Sequence, residues 1–459
     1  ISLFLAVIEG ARRSTIRMHI ECCADMALDS ALAQYHREML EQYDLFFIDT
    51  SYGTGDPSFH RTEDWIFDYM EKNLGAGEEF SLPGIRDITG LSATDVNLLR
   101  AGLATDDGGG VLKYHAVRYM KDVSGLSLAQ RILGLGEQAQ GWQGQDVEGQ
   151  WDEAEAALKE EIAHKKRLQD EDWDGQIPET PSDAVRATRG EGILGPAAQG
   201  MKLSGASIPD ASRPSKRKLN RGTGLGESKT AADGLIDDGL FYAYIMEHCG
   251  YLGKEKENSA LAYEVEYILQ RQCQDRENLK RTAQELLLIR EAANAAFLFG
   301  SGLRSEAAGA ANVIAALLLM PEIASAVETV ILFAWAYAES VKDVRILFQG
   351  GRVPLLKSEG EWNTPFSRLL TYRMHLDSYR PSESGWSYGD YLGALLFLHG
   401  SENAQQGLMD VMESDIRRTP GNGEFRIDGL IDGMEAQISV TSGFSGDFEI
   451  TRIYEYERE

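Results

Sequence analysis

The first 48 residues constrain the fold of this chain most. Residues 1–8 (ISLFLAVI) are apolar except for Ser2, and the charged segment EGARR follows directly. Residues 14–48 contain neither proline nor glycine, so a helix could continue without interruption. We therefore predict one amphipathic N-terminal helix over residues 1–48, about 65 Å long. Its apolar side chains recur at steps of three and four residues and so share one face: Ala24, Leu28, Ala31, Tyr35, Met39 and Tyr43.

The apolar run at residues 1–8 has two interpretations. It is too short to span a membrane by itself, since a spanning helix needs about 20 apolar residues. In the first interpretation it is the outer end of a longer apolar helix, with Arg12, Arg13 and Arg17 at the lipid headgroups. In the second it is the start of an ordinary buried helix. We favour the first interpretation as the expectation to test.

The composition indicates a folded, acidic protein. With 72 acidic residues against 45 lysines and arginines, the net charge is −27 and the isoelectric point about 4.7. We expect no nucleic-acid partner, because phosphate binding needs a basic face. The chain has 459 residues, 43% of them hydrophobic, which is enough for two or three domains or one large elongated domain.

The four cysteines leave two possibilities open. Cys22 and Cys23 are adjacent, and the sequence has no CxxC pair for redox chemistry or zinc binding. Cys249 and Cys273 could form a disulfide if the protein is exported. Alternatively, all four are free thiols packed as small hydrophobic side chains.

Composition also divides the middle of the chain. Residues 49–171 are a mixed helical region, with a possible helix capped by Thr94 within residues 85–104. Residues 172–230 are rich in Gly, Pro, Ser and Asp, so we predict a long connecting segment, locally extended or flexible. This segment contains a basic cluster, which we expect to dock onto the acidic body: Lys216, Arg217, Lys218 and Arg221.

The remaining residues predict helices followed by a hairpin. Residues 231–420 form the predicted helical core, and its most apolar stretch is interrupted by Pro321 and Glu322, which favours buried helices over a membrane span. Residues 421–459 contain two alternating stretches, 426–441 and 449–456, which predict a β-hairpin packed on the body. The predicted fold class is α+β, predominantly helical, with a large helical bundle and a small antiparallel C-terminal sheet.

The sequence has no motif for catalysis or cofactor binding. Its eight histidines lack the spacing of a metal site, and neither a G-x-S-x-G nucleophile turn nor a Walker loop occurs. Glu264 and Glu266 are two residues apart, where helical side chains diverge, so they are not a predicted carboxylate pair. A hydrolase would need two acids that converge in a pocket, one with a shifted pKa. We expect a protein without enzymatic activity, cofactor or metal ion.

Two charged residues lie in strongly apolar helical stretches. Arg290 occurs in LLLIREAAN and Glu339 in FAWAYAESV. We predict that they face each other or other charges inside the bundle. Such buried charges are weak evidence of function, because they stabilise a protein only if their other hydrogen bonds are satisfied.

Several runs of the sequence resemble a family of uncharacterised bacterial proteins that carries a domain-of-unknown-function label. The family occurs mainly in anaerobic Gram-positive gut bacteria, and the resemblance implies an association with tight-adherence (Tad) pilus genes. The runs appear in family order over most of the chain: EGARRSTIRMHIECCADMALDSALAQYHREMLEQYDLFFIDTSYGTG, PSKRKLNRGTG, YEVEYILQRQCQDRENL, LLLIREAANAAFLF, FAWAYAESVKDVRILFQGGRVPLLK and GDYLGALLFL.

The first helix also resembles the start of Tad minor pilins and pseudopilins. In those proteins an apolar membrane helix leads into a Gly-Arg collar and an alanine-rich stem, which residues 9–12 and 24–33 match here. The apolar run of eight residues is shorter than is usual in the family.

The resemblance implies a pilin-like structural or assembly component of a Tad-type pilus, such as a minor pilin, tip or cap. The protein would lie at the cell surface, anchored in the membrane by its N-terminal helix, with other pilin-like subunits or pilus assembly proteins as partners. Glu9 would neutralise a neighbouring subunit's amine or basic group. Apolar contacts to the membrane or to subunits would come from Ile1, Leu3, Phe4, Leu5, Val7 and Ile8.

The alternative is a membrane-anchored or secreted surface module that binds a cell-wall or host glycan without catalysis. Its aromatic residues could stack on sugars, or they could close the helical core: Trp362, Tyr379, Trp386 and Tyr388. One structural result would exclude the pilin-like hypothesis, namely residues 1–8 packed inside the protein against Leu332 and Phe333.

Overall fold

The computed structural model describes residues 2–75, 90–169, 181–225, 234–380, 382–443 and 445–456. It is a predominantly helical α+β protein, as predicted. The α-helices are α1 (Ser2–Leu32), α2 (Arg37–Tyr43), α3 (Phe59–Gly75), α4 (Gly110–Asp122), α5 (Leu126–Gln140), α6 (Val147–Gln169), α7 (Pro181–Arg189), α8 (Leu194–Ala197), α9 (Leu235–His248), α10 (Glu264–Gln270), α11 (Asp275–Gly300), α12 (Arg304–Leu317), α13 (Ala324–Phe348), α14 (Tyr388–His399) and α15 (Ser401–Ile416). The strands are β1 (Ile48–Asp49), β2 (Leu91–Leu103), β3 (Leu430–Ser442) and β4 (Gly446–Glu455).

The four strands form one antiparallel sheet in which β3 pairs with each of the others. The hairpin of β3 and β4 confirms the C-terminal hairpin predicted from alternation. The possible helix capped by Thr94 is wrong, because residues 91–103 form β2. Leu91 lies opposite Ser442, and the pairing continues to Leu103 opposite Ile431. A partner strand more than 300 residues away decides the structure of this segment.

Helix α1 packs on the sheet and on α3, and together they form a separate hydrophobic core. The helix contributes small and branched side chains such as Ile20, Ala24 and Ala27, which meet Met70 of α3 and Ile438 of β3. We call α1, α3 and β1–β4 the sheet module. Both ends of the chain contribute to it, because α1 and β4 are packed side by side.

The predicted continuous helix over residues 1–48 is wrong. Helix α1 ends at Leu32, and α2 begins after His36, whose Nδ1 accepts a hydrogen bond from the Met39 amide at 3.3 Å. Met39 and Tyr43 are buried in a different core from that of α1. The stripe of apolar residues therefore divides between two cores, and the helix breaks where the stripe changes partner.

The second core belongs to the helical body, which we define as α2 and α4–α15. Helix α13 lies at its centre and is buried on all sides over most of its length, as expected for a helix that is apolar all round. No single described helix has the length and hydropathy of a membrane span. Helices α11 and α12 meet those criteria only as a pair bent by 79°.

The segment over residues 172–230, expected to be extended or flexible, contains α7 and α8 in its described part. Both helices pack against α13. Residues 213–225, which we call the strap, then cross the body and reach the sheet, where the Thr223 amide donates to the Ala101 carbonyl at 2.9 Å. The remaining residues of the segment, 172–180 and 226–230, lie outside the described residues.

Candidate functional site

The N-terminal end of α1 is an exposed apolar surface. Leu3 is 79% exposed, Phe4 69%, Val7 63% and Ile8 48%. Ile1 and the side chain of Leu5 lie outside the described residues. Leu332 and Phe333 are buried within the helical body. The described apolar side chains of this run are therefore presented to the surroundings and are not part of that core.

The exposed part of α1 ends where the sheet begins. The Arg13 guanidinium donates to the Ser445 carbonyl at 3.1 Å, and Ile16 is the first buried residue among the described side chains of the helix. Residues 2–12, which we call the stem tip, therefore extend beyond the sheet by about 16 Å at 1.5 Å per residue. The first third of α1 therefore exposes its described apolar side chains, and the remaining two thirds pack on the sheet and on α3.

The charges after the apolar run are satisfied along the helix. Glu9 lies 3.9 Å from Arg12, and Arg17 donates to Glu21 at 3.0 Å. The predicted role of Glu9, to neutralise a neighbouring subunit, would require it to exchange this long contact for an intermolecular one. Exposed pairs of this kind contribute at most about 1 kcal/mol, so such an exchange would cost little.

Polar contacts from β4 and the segment after it fix the packed part of α1. Arg452 contacts Asp25 at 3.4 Å and Glu21 at 3.5 Å, and the Tyr456 hydroxyl donates to the Leu32 carbonyl at the end of the helix. Cys23 is buried in the same interface, and burial raises the pKa of its thiol. All four cysteines are free, so Cys249 and Cys273 do not form the disulfide considered from the sequence.

Arg290 and Glu339 belong to one buried cluster in the body. Arg290 lies 3.0 Å from Asp343, and Lys357 contacts both Asp343 and Glu339. The two predicted residues are therefore linked through an alternating chain of charges rather than directly. Burial by itself would raise the pKa of Asp343, but Lys357 and Arg290 lower it overall. Two cations and two carboxylates balance, which is the arrangement of a structural cluster.

The body also contains buried carboxylates that the sequence did not reveal. Glu264 lies beside Asp415, and Glu266 accepts hydrogen bonds from the Leu252 amide at 3.0 Å and the Tyr388 hydroxyl at 2.8 Å. Burial raises the pKa of Glu264 well above its usual value and that of Glu266 to about 7. Both side chains are at most 1% exposed, so a substrate cannot reach them. They do not form the accessible acid pair that a hydrolase requires.

The four aromatic residues considered for glycan stacking pack against the helical body. The ring of Trp362 stacks on Phe297 with centroids 5.4 Å apart, Trp386 packs on Tyr391 at 5.0 Å, and Tyr388 is buried. Tyr379 is partly buried against the same core. One of the four, Trp386, also lines an open cavity of about 340 Å³ together with Trp142 and Gln138.

A second cavity, of about 430 Å³, lies where the sheet module meets the helical body. Tyr35, Phe46 and Tyr456 contribute aromatic rings to it, and Asp44 and Arg118 contribute charges. Because these residues are far apart in the sequence, no local motif could predict the cavity. Within the described residues, no group of three or more histidine, cysteine or acidic side chains has the arrangement of a metal site.

A comparison with protein families decides the classification of the chain. Residues 171–442 match the model of a family of unknown function, DUF5702, and this match covers more than half of the chain. The chain belongs to the DUF5702 family. The matched part of this DUF5702 protein contains α7–α15 and ends at the last residue of β3. No curated protein and no solved structure matches the chain.

Proposed function

We propose that this DUF5702 protein is a pilin-like structural or assembly component of a Tad-type pilus, such as a minor pilin, tip or cap. The main observation behind the proposal is that α1 divides into an exposed apolar stem tip and a part that packs on an antiparallel sheet. A folded protein gains nothing from exposing Leu3, Phe4, Val7 and Ile8 on one helix end, whereas a membrane or a neighbouring subunit would bury them.

The stem tip is suited to helix-to-helix or helix-to-lipid contact. Burial of a side chain such as Leu3 or Phe4 contributes about 1.5–3 kcal/mol relative to exposure. Several such residues would hold the protein in an assembly at a bilayer, although the tip alone is too short to span one. We place the protein at the cell surface, with the helical body projecting away from the membrane, and we assign it no catalytic activity, cofactor or nucleic-acid partner.

The test is a double substitution on the stem tip, Leu3→Glu with Val7→Glu, in the native cells. Both side chains are exposed, so the variant should fold with an unchanged melting temperature. We expect it to leave the membrane and sheared-filament fractions and to appear in the soluble or secreted fraction. A matched control, Leu370→Glu, changes a residue that is 59% exposed on the body and should leave the distribution unchanged.

The proposal fails if the stem-tip variant fractionates as the native protein does. It also fails if the native protein itself is absent from membranes and filaments.

One observation favours the alternative of a surface module that binds a cell-wall or host glycan. Trp142 and Trp386 line the open cavity of about 340 Å³, together with the polar side chains of Gln138 and Ser384. Aromatic rings beside hydrogen-bonding groups are suited to sugar stacking. Titration of cell-wall oligosaccharides should quench tryptophan fluorescence in the native protein and not in Trp142→Ala if this alternative is correct.

A further inference from the structure

A third cavity lies between the strap and the turn that follows β2. Its volume is about 700 Å³, within the range of small-molecule sites. Thr105 and Asp107 line one wall, and Lys218 and Arg221 of the strap line the other. The cavity is therefore built from two segments more than 100 residues apart. Neither the stem tip nor the hydrophobic core of the helical body lines it.

Two cations of the strap are available to a ligand. The side chains of Lys218 and Arg221 are exposed, and within the described part of the chain neither forms an ion pair with a carboxylate. This contrasts with Arg217, the residue directly before Lys218, which is held by Glu413 and Asp428. In a protein of net charge −27, two cations on one cavity wall that no described carboxylate pairs favour an anionic ligand.

Thr105 in the opposite wall carries a buried hydroxyl. Thr105 is 5% exposed, and its Oγ1 has no hydrogen-bond partner among the described residues. A buried hydroxyl without a partner costs free energy, which a bound ligand atom would recover once the Thr105 side chain rotates its hydroxyl toward the cavity. Arg217 also lines the cavity, and its Nε is buried without a hydrogen-bond partner among the described residues.

Hydrogen bonds hold the strap in place, so the positions from which Lys218 and Arg221 extend are fixed before any ligand arrives. Asp410 accepts hydrogen bonds from the Ser215 amide at 2.8 Å and its hydroxyl at 2.6 Å, and the Asn220 amide donates to Asp428 at 3.0 Å. In the cavity lining itself, the Gly222 amide donates to Asp106 at 2.9 Å. A preorganised site loses less entropy when it binds.

Two acidic residues also line the cavity, and they act differently. The carboxylate of Asp106 accepts hydrogen bonds from two backbone amides, those of Gly222 and Leu103, so its oxygens face the protein. Asp107 is exposed on the rim, in a left-handed turn with φ of 53°. Its charge should weaken anion binding without preventing it, since two cations oppose one carboxylate.

We propose that this cavity binds a phosphate group, carried by a small phosphate ester. Lysine supplies a compact charge, arginine a planar pair of donors suited to phosphate oxygens, and Thr105 a further donor. The volume exceeds what a bare phosphate ion needs, which leaves room for the organic part of an ester. This inference does not depend on the proposed pilus function.

The test is isothermal titration calorimetry of the full chain at low ionic strength with inorganic phosphate and with glycerol 3-phosphate. We expect a dissociation constant on the order of 1 mM for phosphate. The ester should bind at least threefold more tightly if the organic part contributes, and equal affinities would identify free phosphate as the ligand. Lys218→Ala with Arg221→Ala should weaken phosphate binding at least tenfold.

Two further substitutions separate binding from folding. Thr105→Val should raise the melting temperature, because it removes an unpaired buried hydroxyl, and yet weaken phosphate binding several-fold. Asp107→Asn should strengthen it. A matched control, Lys216→Ala, changes an exposed cation of the strap outside the cavity and should alter the affinity less than twofold.

The proposal is overturned if 20 mM phosphate gives no binding heat above that of acetate at about the same concentration. It is equally overturned if the Lys218 and Arg221 double variant binds as the native protein does, because adventitious contact with surface cations would then explain the signal.

Discussion

Arg217 connects the strap to two buried carboxylates of the body. Its guanidinium donates to both oxygens of Glu413, at 2.6 and 2.7 Å, and to Asp428 at 2.5 Å. The two carboxylates are nearly inaccessible to water. This is the intramolecular docking expected for a basic cluster in an acidic chain, and Arg217 is the member of the cluster that performs it.

Arg217→Ala should therefore destabilise the protein markedly. Asp428 would lose its cation while buried, and Glu413 would keep Arg417, which lies 2.7 Å away, and the Ile427 amide at 3.0 Å. We expect a loss of about 2–3 kcal/mol in the free energy of unfolding, measured by urea denaturation. The neighbouring variant Lys218→Ala should change it by less than about 0.5 kcal/mol. Equal effects from the two variants would contradict this account.

Glu266 should make the stability of the protein depend on pH. Burial raises its pKa from 4.5 to about 7, so the folded state holds a proton that the unfolded state releases above pH 4.5. The stabilisation from this proton is complete below pH 4.5 and is lost as the pH rises to about 7. The loss amounts to at most about 3 kcal/mol.

Glu266→Gln imitates the protonated side chain and should flatten this dependence. Its carbonyl oxygen can still accept from the Leu252 amide and the Tyr388 hydroxyl. We expect the variant to match the native protein near pH 5 and to be more stable near pH 8, as measured by urea denaturation at each pH. A variant that is less stable at both pH values would show that the ionised carboxylate is required.

At the scale of elements, α3 protects an edge of the sheet. Glu63 accepts a hydrogen bond from the Leu98 amide at 2.8 Å, and Glu71 accepts one from the Ala93 amide at 2.5 Å. Both amides belong to β2, which is paired with β3 on its other side. Carboxylates that occupy edge amides block the pairing of another strand.

Glu63→Ala with Glu71→Ala should open this edge. We expect faster hydrogen exchange at the Leu98 and Ala93 amides and self-association that increases with protein concentration, detected by light scattering. Glu38→Ala, which changes a carboxylate on α2, serves as the control. Unchanged exchange at both amides in the double variant would show that other contacts protect the edge.

The elements also show what the sequence could and could not predict. The hairpin of β3 and β4 was predictable because its two strands are adjacent and each alternates locally. Strand β2 was not, since its partner lies more than 300 residues away. Helix α1 was predicted with its correct start region, but the break after Leu32 arises because Met39 and Tyr43 enter another core.

At the scale of the whole molecule, the helical body apart from α2 is an insertion between two neighbouring strands. Strand β2 ends at Leu103 and β3 begins at Leu430, and the Ala104 amide donates to the Leu430 carbonyl at 3.0 Å. The chain therefore leaves the sheet for the body and returns to it at one point. Close to this point, His115 lies 3.0 Å from Asp432. This topology allows a large body to be carried by a small module without disturbing α1.

The candidate sites also differ in how far the sequence could predict them. The exposed stem tip was predictable, because an apolar run followed by charges is a local pattern. The cavity of the strap was only partly predictable: the basic cluster is visible in the sequence, but the buried hydroxyl of Thr105 and the turn around Asp107 come from a distant segment. Sites assembled from several segments require the fold.

The most direct test of the central claim is photo-crosslinking from the stem tip in native cells. A photoreactive residue at Val7 should form adducts with lipid or with pilin-like subunits, identified by mass spectrometry, whereas one at the exposed Leu370 of the body should not. If Val7 instead forms adducts only within its own chain, or the labelled protein is recovered solely as a soluble monomer, the stem tip is not an assembly surface and the pilin-like account is wrong.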